Sequence, residues 1–231
     1  MSEFANVKIE DGIAVVSLND GKANAFSFAM MEALNACFDE AEAKADVIVM
    51  TSEGRAMCAG FDLKVMKEQP DRVAEMVGMG GKFLARVFGN DKPVIIASPG
   101  HGIAAGGLLM LSADYRIGAE GDARYGLNES AIGMVLPPYG YDLAEFKINN
   151  KYLDMCFVGA ELIDTPTAIK AGFLDEAVPA DKLMARAMEK AKALQALHAK
   201  AYAGNKRLIR GATLDRMLAG LADISGLSVN V

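Results

Sequence analysis

Apolar and polar positions along this chain change period several times, and the changes mark out alternating strands and helices. Residues 7–10 and 13–18 alternate around Asp11-Gly12, which predicts a hairpin. Between 28 and 44 the apolar positions Met31, Leu34 and Phe38 fall on one helical stripe, and Ser27 is placed to cap it. Residues 46–51 and 93–98 read as buried strands, and 114–119 as another that ends at Glu120-Gly121-Asp122. Helical spacing runs from 72 to 88, although Gly78, Gly80 and Gly81 weaken it and suggest a mobile segment. After Asp181 the strand signals stop. One amphipathic helix carries Leu183, Met184, Met188, Ala191 and Leu194, and a second, beyond Gly204, carries Leu208, Ile209, Leu214, Met217 and Leu221. Such alternation predicts an α/β fold with sheets covered by helices, followed by a helical tail whose apolar stripes need a partner surface.

Composition narrows the function classes. At 231 residues the chain is long enough for a substantial core, and 52% hydrophobic with 23% charged residues argues against disorder. A net charge of −6 without any Lys/Arg block speaks against nucleic acid as a partner. The three cysteines, Cys37, Cys58 and Cys156, are odd in number and widely spaced, which fits a reducing compartment. No apolar run of membrane-spanning length or secretory leader is legible, so a soluble, cytoplasmic protein is the expectation. His101 and His198 stand far apart with no ligand cluster, so no metal is expected.

Two small-residue turns are the candidate chemistry. Met57-Cys58-Ala59-Gly60-Phe61-Asp62 and Gly102-Ile103-Ala104-Ala105-Gly106-Gly107 each lie beyond an apolar strand-like run. Turns of this kind leave N–H groups accessible and let a ligand approach the main chain. The second runs into Leu108-Leu109-Met110-Leu111, so its free N–H groups would sit at the positive end of a helix. If both turns face one point, they can hold an oxygen on which negative charge develops. His101 is expected to be a packing residue and Cys58 to be inert, since neither has the partners that would activate it. Gly78-Met79-Gly80-Gly81-Lys82 lacks the spacing and preceding strand of a phosphate loop.

Five motifs in order carry a family resemblance: Asn24-Ala25-Phe26-Ser27, Cys58 through Lys64, Gly102 through Asp114, Tyr125-Gly126-Leu127-Asn128-Glu129, and Ala171 through Val178. Together they resemble the crotonase (enoyl-CoA hydratase/isomerase) superfamily. The resemblance implies a superhelix of ββα turns over residues 1–178, with an acyl-CoA site, and a helical oligomerisation region over 179–231. It also implies homotrimers or dimers of trimers acting on acyl-CoA thioesters, with CoA part of the substrate and no separate cofactor. By position, the N–H of Phe61 matches the first oxyanion donor and that of Ala105 the second, with Gly106 the alternative one residue on. Lys22, Ala23, Ala59, Phe61, Asp62, Leu63 and Lys64 match regions that line the CoA site.

The proton-moving groups discriminate within the family. Hydratases use two glutamates; the first matching position here is Leu108, and the second is Glu129. Isomerases that move a double bond from the 3- to the 2-position commonly rely on the second alone, which makes isomerisation the first expectation. Burial among Ile132, Met134 and Leu136 would raise the pKa of Glu129 toward the range of a general base. Asp142 or Glu145 is the candidate second carboxylate for a hydratase. The aspartate of the family's dehalogenases is replaced by Pro137. The loss of one glutamate leaves a non-catalytic acyl-CoA-binding or scaffold member as the remaining alternative.

Overall fold

A computed structural model describes residues 3–226, so the outer ends of both expected regions, 1–2 and 227–231, lie outside it. The hairpin forms as β1 (Ala5–Glu10) and β2 (Ile13–Leu18), in antiparallel register from Ala5 opposite Leu18 to Glu10 opposite Ile13. Asp11 and Gly12 both take positive φ at its turn, 50° and 75°, as a two-residue turn between right-twisted strands requires. Helix α1 (Phe28–Lys44) starts where Ser27 Oγ accepts from the N–H of Met30.

The chain continues through β3 (Val47–Ser52), β4 (Ala56–Cys58), α2 (Leu63–Glu68), α3 (Val73–Gly89), β5 (Val94–Ser98), β6 (His101–Ile103), α4 (Ala105–Ser112), β7 (Tyr115–Ala119) and β8 (Tyr125–Gly126). It ends with α5 (Pro138–Lys147), α6 (Asn150–Leu153), α7 (Thr165–Ala171), β9 (Glu176–Val178), α8 (Leu183–Gln195) and α9 (Ala199–Gly220). Two sheets result. The larger has the order β1-β2-β3-β5-β7-β9, parallel beyond the first hairpin, and the smaller has the order β4-β6-β8, all parallel.

Strand alternation splits the core in two. Val47, Val49, Ile95, Ala97 and Ile117 face Leu183, Ala187 and Ala191 of α8 on one side of the large sheet. Ile48, Met50, Val94 and Ile96 face a larger cluster that includes residues of α1, α3, α4 and α5 and Met217 of α9. Both faces of the parallel strands are therefore covered, which explains their uninterrupted apolar runs.

Two expectations need correction. Residues 78–82 are not a mobile segment but the interior of the continuous helix α3. Gly80 and Gly81 are there because aromatic rings occupy the space of a side chain: a Cβ on Gly80 would lie 2.5 Å from the Phe61 ring, and one on Gly81 2.6 Å from the Tyr139 ring. The last helix starts earlier than expected, at Ala199, where His198 Nδ1 accepts from the N–H of Ala201. Gly204 lies inside it with nothing near the position of a Cβ.

Candidate active site

The three short strands of the small sheet all deliver their carboxyl ends to one place. β4 leads to Ala59-Gly60-Phe61, β6 to Ala104-Ala105, and β8 to Asn128-Glu129. Because the strands are parallel, these corners share one edge of the sheet, where open parallel sheets commonly hold ligands. Ala59, Gly60, Phe61, Ala104, Asn128 and Glu129 from these corners line a common cavity of about 100 Å³ with Leu63, Met66, Ile103, Ile132 and Met134, and Ala105 follows directly behind Ala104.

The first corner is held from outside. The N–H of Ala59 donates to Ala23 O at 3.0 Å, that of Phe26 to Gly60 O at 2.8 Å, and that of Asp62 to Phe26 O at 3.2 Å. Asn24, itself buried, donates from its side chain to the carbonyls of Glu53 and Ala56 and fixes the loop that makes these bonds. The N–H of Phe61 donates no hydrogen bond among the described residues. The backbone on either side of it is tied down while its own donor stays free.

The second corner is strained. Ala104 has φ 54° and ψ −122°, a conformation that side-chain-bearing residues seldom adopt and that is stored at functional sites. Its N–H bonds Gly126 O at 2.9 Å and its carbonyl takes the N–H of Leu108 at 3.0 Å. The peptide between Ala104 and Ala105 is thus turned at the first residue of α4, where the N–H of Ala105 has no intrahelical acceptor and no other bond among the described residues. The two corners touch. A Cβ on Gly60 would lie 3.2 Å from that of Ala104, and one on Gly106 would lie 1.9 Å from Cys58 O.

Glu129 opens a short 3-10 turn (Glu129–Ile132) and is only 6% exposed. Its Oε2 is buried with no hydrogen-bond partner among the described residues. Burial without a neighbouring cation pushes its carboxyl up to about 7, with a backbone hydrogen bond acting weakly the other way. A carboxyl that titrates near neutrality, on the same cavity as the Phe61 and Ala104 corners, is of the type that can remove a proton beside a carbonyl. The aliphatic surroundings differ from expectation in two respects: Ile132 is at the exposed mouth rather than inside, and Leu136 is not among the residues lining the cavity.

The remaining sequence candidates are placed as follows. Leu108 is fully buried and supplies no polar atom. Asp142 and Glu145 lie on α5, where both face Arg216 of α9, at 2.9 and 3.6 Å, and neither lines the cavity. Asp62 caps α2 by accepting from the N–H of Lys64. Ala23 contributes the carbonyl that anchors Ala59, and Lys22 and Lys64 are exposed on either side of that corner. His101 Nδ1 accepts from the N–H of Arg124, a packing role, and burial pushes the Cys58 thiol up to about 12. Asn128, Met66 and Ala104 are lining residues that the sequence reading did not single out; only the small-residue run around Ala104 signalled one of them.

The sequence profile described as enoyl-CoA hydratase/isomerase matches residues 8–222. This chain belongs to the enoyl-CoA hydratase/isomerase family. The crystal structure of a family protein from Pseudomonas syringae is similar over 97% of this chain and 98% of that one, with a TM-score of 0.94 and 33% identity. Among curated sequences, a "Probable enoyl-CoA hydratase" of Bacillus subtilis is 31% identical over 83% of this chain and 74% of its own length. "Enoyl-CoA delta isomerase 1, mitochondrial" of Mus musculus is 27% identical over 90% of this chain and 73% of its own. The fold is therefore the crotonase α/β fold. No helix among the described residues is long and apolar enough to cross a membrane.

Proposed function

We propose that this family member isomerises 3-enoyl-CoA to 2-enoyl-CoA with Glu129 as the proton shuttle. The observation that carries the reading is that Glu129 is the only carboxylate among the residues lining the cavity. Glu129 takes a proton from C2 of the 3-enoyl thioester. The electron pair moves into a dienolate whose charge rests on the thioester oxygen. The N–H groups of Phe61 and Ala105 receive that oxygen, each worth about 3–4 kcal/mol in the transition state. The same carboxyl then returns the proton at C4, and the double bond ends between C2 and C3. Adding water instead calls for a second group to hold it, and the side chain at the matching position is that of Leu108.

In this reading CoA enters as part of the substrate, with no further cofactor, along the Lys22, Ala23 and Ala59 side and the Asp62-Leu63-Lys64 start of α2. The working unit is a homotrimer or a pair of trimers. The deciding experiment incubates purified protein with 3-enoyl- and 2-enoyl-CoA and separates the products by mass. Migration of the double bond without gain of water is expected, and Glu129→Gln is expected to bind acyl-CoA without turning it over. Hydration as the main reaction, or near-normal turnover by Glu129→Gln, overturns the proposal.

A further inference from the structure

The position of Phe61 has a consequence for which acyl chains fit, and this rests on the acyl-CoA reading above. Its main chain supplies the unpaired N–H, while its ring lines the same cavity and runs inward to α3. There the ring lies where a side chain on Gly80 would be, 2.5 Å from that Cβ position, with Met31 nearby and Phe26 edge-on at 6.0 Å between ring centroids. Phe61 is thus a wall of the cavity whose ring is seated on a bare step of helix.

Volume sets the limit. About 100 Å³ holds roughly three or four groups the size of a water molecule. The thioester carbonyl and the next two or three carbons fill it. Further carbons must turn outward along the mouth, where Leu63 is 56% and Ile132 38% exposed, and there they leave little additional surface dry.

We infer that the Phe61 ring, held by Gly80, is the chain-length stop of the acyl site and restricts tight binding to thioesters with short acyl groups of up to about four carbons. Gly80 is the positioning residue that lets the stop sit back far enough to admit even these.

The test measures binding of saturated acetyl-, butyryl-, hexanoyl-, octanoyl- and decanoyl-CoA by calorimetry, so that no turnover is involved. Affinity is expected to rise about fourfold per methylene to butyryl, the increment for a fully buried CH2. It is expected to level off from butyryl to decanoyl. Phe61→Leu, which keeps the N–H and an apolar core contact, should carry the rise on to octanoyl. Gly80→Ala should push the ring into the cavity and weaken hexanoyl more than acetyl binding. A wild-type rise that continues to decanoyl, or a Phe61→Leu profile identical to wild type in a protein with unchanged circular dichroism, overturns the stop. Absence of binding to every thioester overturns the acyl-CoA reading itself.

Discussion

Glu129 holds its useful proton affinity at the expense of the fold. Its folded pKa, about 7, lies above the ordinary 4.5, so the native state binds the extra proton between those values. Stability contributed by this site is fully present below about pH 4.5 and is lost as pH rises through 7, to a penalty on the order of 3 kcal/mol at pH 8. Glu129→Gln keeps the shape and removes the charge. It should therefore unfold at higher urea than wild type at pH 8, with the difference shrinking toward pH 5. Under the mechanism proposed above, catalysis has the opposite slope, because the base must be ionised. kcat/KM should rise through pH 7 and flatten above it. A flat profile across that range would take Glu129 out of the proton-transfer step.

At the scale of elements, the site depends on how closely α4 approaches β4. Gly106 is where they meet, with Cys58 O occupying the place of any added methyl group. Gly106→Ala must drive the helix start from the strand and separate the two N–H donors. A loss of kcat of about a hundredfold or more is expected in a folded protein, the scale of losing one oxyanion donor. Unchanged kcat would show that the donors do not converge on the substrate. The same elements explain what could be read from sequence. Strands β1, β2, β3, β5 and β7 of the large sheet and α1 were legible because each carries enough apolar residues in its own segment, whereas β9, with three residues, was not read as a strand. The strands β4, β6 and β8 have three, three and two residues, too few to show a period, so only their glycine-rich exits were visible. Gly80 and Gly81 misled because their partners, Phe61 and Tyr139, come from distant parts of the chain. The candidate donors and Glu129 were picked out by motif order alone. Their convergence required the small sheet.

At the scale of the whole molecule, α9 joins the core to the outer surface. On its inner side Lys206 and Arg210 reach Asp114 at 2.7 and 3.0 Å, and Asp114 also accepts from the N–H of Val94. All three charged side chains are nearly inaccessible, so they persist only as a set. Asp114→Ala leaves two buried cations without their carboxylate and should cost about 3–5 kcal/mol in urea unfolding. The cavity that holds Glu129 includes none of the three, so kcat of the folded fraction should not change. On its outer side the helix leaves Leu208 85%, Ile209 69% and Leu218 50% exposed. Apolar surface in this arrangement is what an assembling helix presents, in keeping with the trimer proposed for this protein. Light scattering should give the mass of three or six chains for the wild type. Leu208→Asp combined with Ile209→Asp should reduce it to one, since a charge on each buried contact repels rather than packs. A wild-type mass of one chain would remove assembly from the account and leave that face to another partner, with the chemistry at Glu129 untouched.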